Sequence, residues 1–301
     1  MIARKLFSRL GAAFAGLALL GAAPAPKAAA TAPHGHPALW KLADKDTTIY
    51  LFGTFHLLPQ GEAWRTPAFD KALASSDELV MEIPNIDDQN ALAGALVKLG
   101  MKDGLPPLVQ RVPADKRAAL KAMIAESGVP EAALDRMKTW AAALLLEGVL
   151  FKRLHLDPNS GVEVTLIGPW RHSGKPLEGL ETAEQQFGLF DHLSDKAQSD
   201  LLAGEVSDLE KAGPEFHAMM QAWMNGDVPG IAHSFNDDMK DSPELMKALL
   251  ADRNAHWAEW LKARMAKPGT VFVAVGAGHL AGKDSVEAML AAKGLKVTRV
   301  Q

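Results

Sequence analysis

Two runs of β-branched and aromatic residues predict buried strands that are each followed at once by a histidine. The first run covers residues 48–52 and leads through a Gly-x-x-His sequence to His56. The second covers residues 270–275 and leads through another Gly-x-x-His to His279. Such runs favour strands, and glycine marks their ends. Since ligands of open α/β sheets bind beyond the carboxyl ends of parallel strands, we expect the histidines to converge if these strands are neighbours.

The rest of the chain alternates between short apolar runs and long stretches with helical periodicity. Strands are predicted at 78–84, within 175–181 and at 295–300, with an edge strand at 38–41; helices are predicted at 66–74, through most of 87–156, at 182–190, through most of 194–239, at 252–260 and at 283–292. The pattern indicates an α/β fold, in which a central mixed sheet carries paired strand, Gly-x-x-His and helix units.

A large helical insertion is predicted at about 87–265, and it is long enough to form a separate lobe over the sheet. Within it, residues 160–168 fit two structures. Their β-branched side chains favour a strand, whereas the spacing of Ser160 and Glu163 is that of a capping box and favours the start of a helix. Both alternatives stay open on the residues alone.

The first 37 residues differ from the remainder in composition. Residues 1–23 combine a basic start with an apolar stretch shorter than a membrane-spanning helix, which is typical of a cleaved secretory signal. Residues 24–37 are rich in Pro, Ala and Thr and predict a disordered linker, so one folded domain is expected over 38–301. We expect a periplasmic or secreted protein that contacts a membrane only through an uncleaved signal.

Charge and cysteine content narrow the possible functions. Loss of the three basic residues of the signal takes the formal charge from −4 to −7, and a mildly acidic protein is a poor partner for nucleic acid. The chain has no cysteine, so metal ligands must come from His, Asp, Glu or main chain. Neither Gly-x-Ser-x-Gly nor His-Glu-x-x-His occurs, which disfavours a serine-hydrolase elbow and the common helical zinc site.

Three glutamates and an arginine are the other candidate site residues. Glu82 and Glu181 each close a predicted strand, and an unpaired carboxylate in that position is costly. Arg253 shares a helix face with the apolar Trp257, so it should point inward and need an acidic partner, which Glu82, Glu163 or Glu181 can supply. Two imidazoles and a carboxylate can bind a divalent metal ion and activate water for hydrolysis. Without metal, the same histidines can do acid–base work, with Arg253 stabilising an oxyanion.

Six motifs, in this order, give the chain from about Leu39 to its end a resemblance to the TraB/GumN family, which includes the Wnt-cleaving TIKI proteins. They are LFGTFHLLP at 51–59, MEIP at 81–84, GVE at 161–163, GLET at 179–182, DRN at 252–254 with Trp257, and VGAGHLAG at 275–282. The resemblance implies a metal-dependent protease or peptidase with an α/β core, more distantly related to haem-binding ChaN-like and erythromycin-esterase-like folds.

The resemblance also implies roles for particular residues. The family's paired histidines fall on His56 and His279, its acidic position on Glu82, and its arginine–asparagine pair on Arg253 and Asn254. A helix usually follows Gly-Val-Glu, which favours the helical alternative for 160–168. Here Gly168-Pro169 stands inside that helix and should end or kink it, which leaves the role of Glu163 open.

The sequence thus predicts an exported metallohydrolase that acts on a peptide or protein. His56, Glu82 and His279 would hold Mn, Co or Zn, and Glu82 is also a candidate general base. Arg253 and Asn254 would orient the substrate, with Glu163 and Glu181 as further substrate contacts. Two alternatives are a binding protein that sequesters a peptide or haem-like ligand without turnover, and a metal-free esterase.

Overall fold

A computed structural model describes residues 35–206, 209–239 and 242–301. It contains one six-stranded mixed sheet in the order β4-β3-β5-β2-β1-β6, which confirms the predicted fold class. The strands are β1 (Leu39–Ala43), β2 (Thr47–Thr54), β3 (Glu78–Met81), β4 (Leu177–Gly179), β5 (Gly269–Gly276) and β6 (Val297–Arg299).

Helices occupy most of the chain between these strands. They are α1 (Pro67–Ala74), α2 (Gln89–Gly100), α3 (Arg117–Ser127), α4 (Glu131–Asp135), α5 (Thr139–Arg153), α6 (Val162–His172), α7 (Ala183–Asp191), α8 (Asp195–Glu205), α9 (Leu209–Met224), α10 (Val228–Met239), α11 (Pro243–Met246), α12 (Asp252–Arg264) and α13 (Val286–Ala292). A π-helical turn, Lys247–Ala251, joins α11 to α12.

Four parallel strands, β4, β3, β5 and β2, bring the site residues to one edge of the sheet. In the register of β2 with β5, Thr54 lies opposite Gly276, so the two strands end level. The two strands are neighbours, which was the condition for the histidines to converge, and the two Gly-x-x-His sequences leave the sheet side by side. Glu82 follows β3 on the other side of β5 and reaches the same edge.

The two faces of the sheet alternate residue by residue, as a sheet covered on both sides requires. Phe272 and Ala274 of β5 pack into a core with α1, α6, α9 and α10, and their neighbours Val271, Val273 and Val275 pack into a second core with α12 and α13. Trp223 of α9 also donates from its indole to the Gly53 carbonyl at 2.7 Å, which ties that helix to the end of β2. Both layers thus hold the strand ends in place.

The helical insertion divides into two parts. Helices α2, α3, α5, α7 and α8 share a third core of their own, whose centre includes the fully buried Trp140. The other long helices lie on the sheet, and the same segment supplies β4, which pairs with β3. Only the first part corresponds to the separate lobe that the insertion's length suggested.

The prediction that residues 38–41 form an edge strand was wrong. β1 pairs antiparallel with β2 on one side and with β6 on the other. The sequence showed both β1 and β6 as strands but not their pairing, which joins residues more than 250 positions apart. Strands β4 and β6 are the edges instead.

The segment for which a strand and a helix both stayed open is helical and forms α6. Gly168-Pro169 was expected to end or kink this helix, but the helix does not end there. It continues through the proline to His172. Tertiary contacts hold the last turn: Trp170 is buried and donates from Nε1 to the Pro176 carbonyl, and Arg171 forms an ion pair with Asp87. These contacts compensate for the single hydrogen bond that the proline removes.

The amino-terminal predictions fall mainly on residues that the structure does not describe. The predicted signal (1–23) and the linker as far as residue 34 lie outside the described ranges. Residues 35–37 were predicted to belong to the disordered linker, and this was wrong, since Gly35 donates to the Ala63 carbonyl and His36 to that of Met224. Within the described ranges, no helix has both the length and the apolar character needed to cross a bilayer.

The amino-terminal end of α6 packs tightly on the loop that carries His56. Gly161 lies at this contact, so a substitution there tests the fold. Its φ of −59° suits any residue, but a Cβ there would lie 2.0 Å from the His56 carbonyl oxygen. We expect Gly161→Ala to lower the free energy of unfolding by about 1–3 kcal/mol, because backbone must move. Gly94→Ala, in the exposed middle of α2 with open space around it, should instead raise it by about 0.5–1 kcal/mol. Denaturant unfolding measures both, and equal effects would contradict the packing.

Candidate active site

His56 lies two residues beyond β2, buried between the sheet edge and α6. Its Nδ1 is in direct contact with the carboxylate of Glu163, which the first turn of α6 presents. Its Nε2 has no hydrogen-bond partner among the described residues. Burial lowers the pKa of His56, but the charge and hydrogen bonding of Glu163 outweigh burial and raise that pKa above 6.5. The result is a histidine oriented by a carboxylate, with its other nitrogen unused.

His279 follows β5 in a 3₁₀ turn, Ala277–Leu280, and is held in a different way. Its Nδ1 lies 2.6 Å from Oδ1 of Asn254, whose Nδ2 donates to the Asp284 carbonyl at 2.7 Å. This amide orientation places the proton of His279 on Nδ1. Burial and the positive charge of Arg253 lower the pKa of His279 to about 3, so its imidazole is neutral near pH 7.

Arg253, on the first turn of α12, is the hub of the site. Its Nε donates to Glu181 at 3.0 Å and its Nη2 to Glu82 at 2.5 Å and to Glu181 at 2.8 Å. Its Nη1 donates to Nε2 of His279 at 3.0 Å and to the Leu249 carbonyl at 3.2 Å. A guanidinium has five N–H donors, so Arg253 has none left over for a substrate.

The buried carboxylate of Glu82 accepts hydrogen bonds through both of its oxygens. Oε1 accepts from the N–H of Gly276 at 2.7 Å, and Oε2 accepts from Arg253 and from Nε2 of Gln186 at 3.1 Å. Burial alone would raise the pKa of Glu82, but the charge of Arg253, the two histidines and the Gly276 N–H together lower it to about 2. Glu82 is therefore ionised near pH 7.

The structure brings together all the residues that the sequence singled out, but in two groups. Glu181 joins Glu82, Arg253, Asn254 and His279, as an acidic partner of Arg253 was expected to do. Glu163, the third candidate partner for Arg253, instead pairs with His56.

Two residues of the site were missed or undervalued by sequence reasoning. Gln186 bridges the carboxylates of Glu82 and Glu181 with a single Nε2, and Trp257 donates from Nε1 to Glu181 while its ring lies 4.3 Å from that of His279. The sequence marked Trp257 as an apolar residue on the face of Arg253 and as part of a family motif, but not as a hydrogen-bond donor of the site. The signal for Gln186 was its place one turn after the Thr182 cap, on the buried side of α7.

The donor chemistry of the cluster fits a divalent metal ion. Nε2 of His56 and Oε1 of Glu82 face the same small space, since each lies 3.2 Å from where a Cβ on Gly276 would stand. Nε2 of His279 is 3.9 Å from Oε1 of Glu82 but accepts from Arg253. In the described ranges, no three His, Asp or Glu side chains already surround one point as metal ligands would, so His279 could join only by exchanging Arg253 for the metal.

The charge balance of the cluster favours a cation. Among the described residues, the site holds three buried or nearly buried carboxylates, of which Glu82 and Glu181 pair with the guanidinium of Arg253 and Glu163 pairs with His56. With neutral imidazoles, two negative charges are unbalanced in a region of low polarity, which is costly. A proton on His56 balances one of them, and a divalent cation would balance both.

Residues 38–299 match the model of the TraB/PrgY/gumN family. The chain is 24% identical over 242 residues to the uncharacterized protein YbaP of Escherichia coli K12. The aligned region covers 80% of this chain and 87% of that protein. It is also 24% identical over 241 residues to the YbaP of Shigella flexneri, with the same coverage. No solved structure matches the chain.

The five donors of Arg253 make Arg253→Lys a strong test of the cluster. Lysine keeps the charge but has only three donors and no planar fork, so Glu82 or Glu181 loses contacts while buried. We expect denaturant unfolding to show a loss of about 2–4 kcal/mol. The control is Arg136→Lys: Arg136 is exposed and contacts Asp103 through Nε at 2.8 Å, so this change should cost about 1 kcal/mol or less. Similar losses in both variants would contradict a hub at Arg253.

The pairing of His56 with Glu163 predicts a pH effect with a defined sign. Glu163→Gln should lower the pKa of His56, because burial is then opposed by less negative charge. NMR titration of the imidazole protons in chelator-treated protein, assigned with His56→Gln, measures this shift. Because the pKa of His56 is higher in the folded than in the unfolded protein, protonation of His56 stabilises the fold. This stabilisation is complete below pH 6.5 and is lost above the folded-state pKa. The stability difference between wild type and Glu163→Gln should therefore shrink as pH rises through that range, and a constant difference would contradict the pairing.

Proposed function

We propose that this chain, which belongs to the TraB/PrgY/gumN family, is a hydrolase of peptide bonds whose active site is the cluster around His56, Glu82 and His279. One observation supports this most strongly. The buried Nε2 of His56 has no partner in the described residues, while the opposite nitrogen is held by Glu163. A histidine oriented in this way is the usual arrangement of a general base.

His56 takes the proton from the attacking water in this proposal. Glu163 holds the proton on Nδ1, so the lone pair of Nε2 is directed into the space that it shares with Oε1 of Glu82. As Nε2 accepts the proton, the imidazolium is stabilised by the adjacent Glu163 carboxylate. The contact with Glu163 raises the pKa of His56, which makes Nε2 a stronger proton acceptor than a free imidazole.

Arg253 and Asn254 act as positioning residues rather than as substrate contacts. Every N–H of Arg253 already has an acceptor, and the side-chain amide of Asn254 is hydrogen-bonded to His279 and to the Asp284 carbonyl. They hold Glu82 ionised and His279 neutral in one tautomer. Glu181 and Gln186 complete this support.

A divalent metal ion would be held by His56, Glu82 and His279, and when bound it would supply Lewis acidity that lowers the pKa of water. Nε2 of His56 would then be a ligand, so His56 acts as the general base only in the absence of metal. The unpartnered Nε2 of His56 and the two unbalanced negative charges support this part of the proposal. Loading the protein with Mn, Co or Zn in turn identifies which of these metals it binds.

Metal-free ester hydrolysis is the second candidate. The contact of Arg253 Nη1 with Nε2 of His279 favours it, because this guanidinium occupies the lone pair that a metal would need. The same His56 and Glu163 pair would then act alone as the base.

An apolar cleft near the His56 loop supports a peptide substrate. The cleft has a volume of about 610 Å³ and begins at Pro59, three residues after His56. It is lined by Leu154, Leu156, Phe216, His217 and Gln221 among others. Such a surface suits an apolar peptide segment with a few polar contacts. The basic and apolar residues 1–23 support the further proposal that the enzyme acts after export to the periplasm or outside the cell.

The histidine at the centre of the proposal gives a direct test. His56→Ala should lower the rate of hydrolysis of a quenched fluorescent peptide library by at least about 100-fold, because the general base is lost. His256→Ala, an exposed histidine on α12, serves as the control and should hydrolyse at the wild-type rate. An active His56→Ala variant would contradict the assignment of the base.

Metal dependence is tested on the same protein after chelation and reloading with Mn²⁺, Co²⁺ or Zn²⁺. We expect close to one metal ion per chain by mass spectrometry in the wild type and none in His56→Ala/His279→Ala, with peptidase activity that follows the metal content. Ester hydrolysis without metal would favour the second candidate. Ligand binding with neither metal nor turnover would contradict both and indicate a binding protein.

A further inference from the structure

Thr54, the last residue of β2, carries a hydroxyl that takes no part in the hydrogen bonds described above. Only 1% of the residue is exposed, and Oγ1 has no hydrogen-bond partner among the residues with described positions. Burying a hydroxyl without a partner costs free energy that a valine of the same shape would avoid. The hydroxyl therefore indicates a partner that is not one of these protein groups.

The register of β2 with β5 sets the direction of the Thr54 side chain. Thr54 lies opposite Gly276, and residues paired across adjacent strands point to the same face of the sheet. Tyr50 and Phe272, which are paired four residues earlier in both strands, follow this rule, since their ring centroids are 6.4 Å apart. The Thr54 side chain therefore lies on the face toward which a Cβ on Gly276 would point.

The space in front of Gly276 is the one that the candidate base faces. A Cβ on Gly276 would stand 3.2 Å from Nε2 of His56 and 3.2 Å from Oε1 of Glu82. Neighbouring strands are about 4.8 Å apart, so the Thr54 hydroxyl borders this same space. Two acceptors and one donor thus surround it: the free nitrogen of His56, the remaining lone pair of Oε1 of Glu82, and the Thr54 hydroxyl.

We propose that Thr54 is a third contact of the water molecule that attacks the substrate. The Thr54 hydroxyl donates to this water, and the water donates to Nε2 of His56 and to Oε1 of Glu82. The proposal rests on the hydrolase function proposed above, in the form in which His56 is the general base and no metal is bound. Because Glu82, Glu163 and Glu181 make the site acidic, a neutral molecule that donates hydrogen bonds suits it better than an anion does.

The three contacts fix the direction from which the water attacks. They use both of its hydrogens and one lone pair, so the other lone pair is left for the carbonyl carbon. As the O–C bond forms, His56 takes the proton and the carbonyl electron pair moves onto the carbonyl oxygen. When the tetrahedral intermediate collapses, the C–N bond breaks and His56 gives the proton to the leaving nitrogen. Thr54 keeps its own proton throughout.

Thr54→Val and Thr54→Ser test this contact by kinetics. Valine keeps the shape of threonine without the hydroxyl, whereas serine keeps the hydroxyl. Rates are measured in chelator-treated protein with p-nitrophenyl acetate and with a peptide that the wild type cleaves. We expect Thr54→Val to lower kcat at least about tenfold with KM unchanged, because the water is held less well, and Thr54→Ser to stay within about threefold of the wild type. An unchanged kcat in Thr54→Val would overturn the proposal.

Thr47, at the start of the same strand, provides the matched control. It is also buried, but its hydroxyl contacts the carbonyls of Met265 and Lys267 at 3.3 and 3.1 Å. Thr47→Val should therefore lower the melting temperature and leave kcat at the wild-type value. Thr54→Val removes no such bond and should melt within about 4 °C of the wild type. A Thr54→Val variant that melts as low as Thr47→Val would show a structural role for Thr54 and refute the proposed contact.

A crystal structure of the chelator-treated protein tests the water without any need for turnover. Wild type and Thr54→Ser should show a water within about 3.2 Å of the residue-54 hydroxyl, Nε2 of His56 and Oε1 of Glu82. Thr54→Val should lose or displace it. A Thr54 hydroxyl bonded to a protein group instead, or a water that keeps its place in Thr54→Val, would overturn the proposal.

The two measurements separate the water contact from the hydrolase function. A protein that cleaves neither the ester nor any peptide but holds this water refutes the hydrolase and leaves the water site in place. An active enzyme whose water does not contact Thr54 refutes only the role of Thr54.

Discussion

The structure around the site depends on one buried guanidinium. Arg253 connects α12 to the ends of β3, β4 and β5 by donating to Glu82, Glu181 and His279 at once. Each of these groups would be costly to bury alone, and they are tolerated because all five donors find acceptors. The π-helical turn before α12 contributes as well, since the Leu249 carbonyl accepts from Arg253. The geometry of the sheet edge and the charge state of the cluster are therefore set together.

The two Gly-x-x-His units look alike in sequence but are chemically different. His56 is paired with a carboxylate, which raises its pKa, whereas His279 lies between an amide and a cation, which with burial lower its pKa to about 3. Environments that move two like groups in opposite directions commonly assign them different roles. In the proposed mechanism, His56 is the group that exchanges protons, and His279 stays neutral near pH 7.

The helical insertion supplies side chains of the site in addition to a helical core of its own. Glu163 comes from α6 on the sheet, and Gln186 comes from α7, which packs in the separate helical core. The site is thus assembled where the sheet edge, a helix on the sheet and the separate helical core meet.

The sequence by itself determined the strands that end at the site, the two histidines and the inward arginine, because strand and helix periodicities are local and identify which side chains point inward. The family resemblance followed from short motifs of the same local kind. Only the tertiary structure decided that Glu163 pairs with His56, that Gln186 bridges two carboxylates, that β6 covers β1 and that α6 continues through Pro169. These features depend on contacts between residues far apart in the chain, whose energies no local pattern contains.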